Sequence, residues 1–109
     1  MSYRVFHYDA ARDVQVAADG AEERERGEIL TLMEDVLVEP GSFVGVVAED
    51  GTMLTFVVLY EGIQLDVPQP KRRGSYLKMA SLEVCKQVLR DAGDGFDHEK
   101  VEGLEFERW

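Results

Sequence analysis

Hydrophobic positions along this chain follow two periods, and the densest run lies in the middle. Phe43-Val-Gly-Val-Val-Ala48 and Met53-Leu-Thr-Phe-Val-Val-Leu-Tyr60 are rich in β-branched and aromatic residues, the composition that strands favour. Glu49-Asp50-Gly51-Thr52 separates them, and Asp-Gly suits a tight hairpin turn because both positions tolerate positive φ. After the short turn Glu61-Gly62, the segment Ile63-Gln-Leu-Asp-Val67 alternates cleanly. The three runs predict an antiparallel meander. Its first two strands are apolar on both faces, as expected for the middle of a sheet.

Weaker patterns flank the meander. Tyr3 to Tyr8 alternates as a first strand, and Asp13 to Ala17 is a lesser strand candidate with Val14 and Val16 on one face. Asp19 followed by Glu22 has capping-box spacing, with Asp in place of Ser or Thr. A helix from there to about Leu37 places Ile29, Met33 and Val36 or Leu37 on one stripe. Gly27 costs such a helix about 1 kcal/mol relative to Ala, which moves its start towards residue 27. Pro40-Gly41 stops it. Beyond the meander, Pro68-Gln-Pro70 ends the third strand, because proline cannot donate to a ladder, and Lys71-Arg72-Arg73-Gly74 continues as an exposed loop. Ser81 caps a second helix over about 82–91, with Leu82, Cys85, Val88 and Leu89 on one side and Gly93 past its end. Residues 94–100 read as a loop and 101–109 as a closing strand, with Leu104 and Phe106 alternating against Glu105 and Glu107.

The resulting expectation is a single α+β domain over 1–109, an antiparallel sheet of four to six strands with two helices, in the order β-α-β-β-β-α-β. Two helices suffice to cover one face of such a sheet. The doubly apolar strands would then leave an apolar face on the other side, the mark of a dimer or partner interface, unless loops and the N-terminal segment cover it.

Charge changes this picture most. The chain has 22 acids against 12 bases in 109 residues and a net charge of -10. Residues 1–39 carry ten acids and four bases, residues 40–90 five and six, and residues 91–109 seven and two. Acidity is therefore a property of the two ends. An acidic surface repels phosphate, which argues against direct nucleic-acid binding and for a basic protein partner or mimicry of nucleic acid. No run approaches 18 consecutive apolar residues and no apolar leader follows Met1-Ser2-Tyr3-Arg4, so a soluble, cytoplasmic protein without membrane contact is expected.

Candidate chemistry is sparse. The one cysteine, Cys85, excludes an intrachain disulfide and reads as a buried small hydrophobe. His7 and His98 have no ligand-like spacing. Asp94-Gly-Phe-Asp-His-Glu99 has part of a calcium loop's oxygen pattern without its full alternation or its final Glu, so no metal or cofactor is expected. No nucleophile elbow, phosphate-binding loop or dinucleotide fingerprint occurs, and no catalytic residue is assigned. Lys71 to Arg73 suits a solvated loop that protects a sheet edge. The expected partner-binding residues are Glu22, Glu23 and Glu25 at the start of the first helix, with Asp94, Asp97, Glu99 and Glu102 in the C-terminal segment. Trp109 joins them, because Trp is enriched in binding hot spots; the alternative is that it pins the last strand to the core.

The run Val67-Pro-Gln-Pro70, Gly74-Ser75-Tyr76, the helix Ser81 to Arg90, the glycine-rich turn after it and the closing Trp109 resembles the small immunity proteins of bacterial polymorphic and contact-dependent toxin systems. The resemblance runs from the meander to the C-terminus, the last 65 residues or so, and rests on element order and a few residue types; it transfers no site residue. It implies stoichiometric inhibition of a cognate toxin domain, with no chemistry by this chain. Two other readings stand beside it: a nucleic-acid mimic of phage or mobile-element origin, and a homodimeric small-molecule-binding domain. If the two acidic ends meet in the fold, they make one binding face; if they lie apart, the charge serves solubility.

Overall fold

Alternation at residues 53–59 becomes alternate burial: Leu54, Phe56 and Val58 are buried, while Met53, Thr55, Val57 and Leu59 are only half-buried. The computed structural model describes residues 1–109. In chain order it contains β1 (Ser2–Asp9), β2 (Val14–Val16), β3 (Glu22–Glu25), α1 (Arg26–Val36), β4 (Phe43–Val47), β5 (Met53–Leu59), β6 (Gly62–Gln69), β7 (Gly74–Ala80), α2 (Leu82–Asp91) and β8 (Glu105–Arg108). All eight strands join one antiparallel sheet in the order β2-β1-β4-β5-β6-β7-β8, with β3 beside β2 on the outer side of β1. The α+β class and the two helices agree with the sequence; the strand count exceeds the expected four to six.

The hairpin forms as its turn residues dictate. Gly51 takes φ +88, its N–H donates to the Ala48 carbonyl at 3.0 Å, and the Asp50 carboxylate accepts from the Thr52 N–H at 2.9 Å. The expected cap of α2 also forms: Ser81 Oγ accepts from the Val84 N–H at 3.2 Å.

Three expectations needed correction. Glu22–Glu25 is an edge strand paired with Ser2–Val5, not the first turn of a helix. The capping box lies later, with Glu25 as the cap and Glu28 returning to the Glu25 N–H at 3.0 Å. Four consecutive charged residues suit an edge strand, where both faces reach water and the charges deter pairing with another chain. Gly74–Ala80, with no predicted element, is a full strand whose helix-facing positions are Gly74, Tyr76, Lys78 and Ala80. Glycine and lysine in those positions erase the alternation. Lys78 lies along the surface and donates through Nζ to the Glu102 carbonyl at 2.6 Å. Finally, Pro68 lies inside β6 rather than after it, beyond Asp66, the last residue of β6 that β5 pairs, so its missing N–H breaks no bond on that side.

Both helices pack on one face. Ile29 and Met33 of α1 and Cys85 and Leu89 of α2 are fully buried against Val44, Val46, Phe56 and Leu65. Burying a side chain such as Phe56 contributes about 3 kcal/mol. An ion pair ties the helices together, with Lys86 Nζ on the Glu34 carboxylate. The opposite sheet face has no helix. There Phe6 lies over Gly45, where it fills the space a Cβ would need, and meets Phe43 edge to face at 6.3 Å between ring centres. Val47, Met53, Val57, Leu77 and Met79 share that face by register and none is fully buried. No helix is long and apolar enough to cross a membrane.

Candidate functional site

The acidic residues occupy three places. Glu22, Glu23 and Glu25 are on β3 at one edge of the sheet. Glu22 pairs with Arg24 at 3.2 Å, Glu23 accepts from Ser2 Oγ at 2.9 Å, and Glu25 meets the N-terminal ammonium at 3.2 Å. Their side chains remain open to solvent, 54% for Glu22 and 68% for Glu25.

Asp94 and Asp97 lie in the loop after α2, and that loop is drawn towards the same side. The Arg26 guanidinium donates to the Ala92 carbonyl and to the Tyr3 hydroxyl, the latter at 3.1 Å. Tyr3 donates to the Gly93 carbonyl at 2.9 Å, and its ring packs 5.3 Å from that of Phe96. The Phe96 N–H donates to Thr52 Oγ1 at 2.7 Å, which ties the loop to the β4–β5 turn. The Asp50 carboxylate occupies the space a Cβ on Gly95 would need, so glycine there lets two acidic segments touch. Thr52 holds Asp50 below the usual carboxylate range through hydrogen bonds from its hydroxyl and its N–H. The turn acids and the Arg26–Tyr3 clasp are members of this surface that composition and periodicity did not single out. Gly95 between two carboxylate-rich stretches was the only local signal.

The rest of the C-terminal segment goes elsewhere. Glu99 lies in a single 3-10 turn whose start is capped by the Asp97 carboxylate, accepting from the Glu99 N–H at 2.9 Å. Glu102 follows beside Lys78 of β7. Trp109 is at the end of β8, 71% exposed, its N–H donating to the Arg73 carbonyl at 2.9 Å and its indole N–H to Ser75 Oγ at 3.0 Å. It fastens the edge strand without entering the core. From β3 to β8 is six strand spacings, about 29 Å. The sequence-predicted residues therefore do not form one face: Glu22 shares the helix-covered side with the loop that carries Asp94, Glu23 and Glu25 alternate to the open side of the same edge strand, Asp97 and Glu99 lie on the path towards β7, and Glu102 and Trp109 are at the far edge.

Other candidate groups are structurally occupied. Arg72 stacks over Phe106 at 4.5 Å and donates to the Tyr76 hydroxyl at 2.6 Å. His98 stacks on the Tyr76 ring at 3.8 Å, whereas His7 is on β1, where burial, with Arg24 nearby, lowers its pKa. Burial pushes the Cys85 thiol up to about 11. No three His, Cys, Asp or Glu residues come together to hold a metal ion.

No protein-family profile matches this chain, and no curated protein or solved structure shows significant similarity to it.

Proposed function

We propose that this chain is a non-enzymatic, cytoplasmic binding protein of the immunity type, which neutralises a cognate bacterial toxin domain by contact with that domain's basic surface. The observation that supports it most is the clasp of Arg26 and Tyr3 on Ala92 and Gly93, which brings the start of the acidic C-terminal loop to the end of the sheet that carries β3 and sets Gly95 against Asp50. Like charges held together raise the local field, and a field of one sign steers a basic partner and accelerates encounter. Nucleic-acid-degrading toxins carry basic clefts, so an acidic inhibitor gains both steering and complementarity there.

The test is coexpression with the toxin domain encoded by the adjacent reading frame, followed by association kinetics on the purified pair. Rescue of growth is expected, with an association rate that falls at least about tenfold between about 50 and 500 mM salt. No rescue, or a rate indifferent to salt, contradicts the proposal.

The open sheet face favours a second reading, a homodimer. Its centre belongs to the nearly neutral stretch 40–90, where two copies can approach without the repulsion of the ends. Sedimentation as a dimer that Val57→Asp dissociates supports it, and a monomer at every concentration rejects it.

A further inference from the structure

α2 ends at Asp91, and the loop after it folds over a cleft of about 180 Å³. Leu54, Val88 and Val101 supply an apolar floor, and Asp91, Asp94 and Asp97 line the wall with Lys100 as the one cation. Cavities of about 150 Å³ accept a benzene-sized group, so there is room for one long side chain. The five ion pairs of the protein lie elsewhere and include none of these four charges. The carbonyl end of α2 is already met by the Arg26 guanidinium on the Ala92 carbonyl, so the negative potential at the mouth comes from the carboxylates themselves. An apolar floor under an excess of carboxylates suits a ligand with an aliphatic stem and a cationic head. The loop is already pinned by Arg26, Tyr3 and Thr52, so little ordering is left for binding to pay.

We propose that this cleft receives an arginine side chain of the basic partner, its methylenes over Val88 and Val101 and its guanidinium at the carboxylate-lined mouth. Arginine fits better than lysine because its head is less strongly hydrated and anchors interfaces more often. The inference rests on the immunity-type reading and names the anchor of that contact.

The full chain is titrated with n-butylguanidinium, and methyl NMR follows Leu54, Val88 and Val101; n-butylurea is the uncharged isostere. Saturable shifts at those methyls are expected, weakened about tenfold in Asp94→Asn/Asp97→Asn and abolished by Val88→Phe. A thermal melt checks each variant, and the Asn pair carries the test if Val88→Phe does not fold. Equal binding of the urea, shifts spread over Glu22 to Glu25 instead, or titrations unchanged in the Asn pair overturn the assignment. If guanidinium misses the cleft while toxin neutralisation persists, this inference falls alone. If the cleft binds guanidinium but no toxin is neutralised, the immunity reading falls and the cation site remains.

Discussion

The two acidic segments carry nearly the same excess charge, six over residues 1–39 and five over residues 91–109, but the fold treats them differently. The first keeps its Glu22–Glu25 cluster on one edge strand, each acid in register with a residue of β1. The second is divided. Ala92 to Phe96 is carried back across the helix-covered face to the start of β1, while Glu105 and Glu107 end on β8 at the opposite edge. Net charge becomes a surface only where topology brings the bearers together, and here it brings the start of the second segment to the end of the sheet that holds the first.

That division can be broken from either side. The largest effect is expected from Arg26→Ala, which removes the hydrogen bonds holding Ala92 to Tyr3. Charge-assisted bonds of this kind contribute about 2 to 3 kcal/mol, read by urea unfolding. Amide exchange at Gly93 to Phe96 should accelerate while exchange at Glu105 to Arg108 stays as it was; unchanged exchange at Gly93 would mean that the clasp does not hold the loop.

Gly74→Ala attacks the far edge. A Cβ there would stand 2.5 Å from the Phe106 ring and 2.6 Å from the Glu107 carbonyl oxygen. A cost of about 1 to 2 kcal/mol follows from such overpacking. Exchange should now rise in β8 and not around Gly93, and a rise in both would show that the two halves of the C-terminal segment are one unit.

The smallest effect belongs to Asp66 on the open face, where one carboxylate oxygen is buried without a partner. Burial raises its pKa against a lesser opposing pull from the Ser75 hydroxyl. The folded state then binds the proton more tightly than the unfolded one, so Asp66 favours folding below about 3.8 and that advantage disappears as pH rises through the folded value. Asp66→Asn should therefore gain about 0.5 kcal/mol at neutral pH, limited by solvent access, with no gain in acid. A loss at neutral pH would contradict the account of this carboxyl.

Much of the architecture was legible because its signals are local. Asp50-Gly51 specified its turn, Ser81 its cap, and the alternation from Ile63 to Val67 its buried face. What escaped was set by partners distant in sequence. Glu22 to Glu25 has helix-like composition, yet the free edge of β1 takes it as a strand. Gly74 to Ala80 is a strand because β6 and β8 flank it, with glycine and lysine in the positions where a core residue would reveal it. For the candidate site, residue type identified the acids, but only the contacts of Arg26 and Tyr3, the latter ninety residues from its acceptor, show where the C-terminal loop is held.

The most direct measurement is the association rate of the proposed toxin partner with two charge variants compared at low salt. Glu22→Gln/Glu23→Gln/Asp94→Gln removes charge from the β3 end of the sheet, and Glu102→Gln/Glu105→Gln/Glu107→Gln removes the same amount from the far edge. The account predicts a fall of about tenfold or more for the first and less than about twofold for the second, with the difference vanishing at high salt. Equal losses from both would mean that the acidity acts as a diffuse charge and that the β3 end of the sheet does not guide binding.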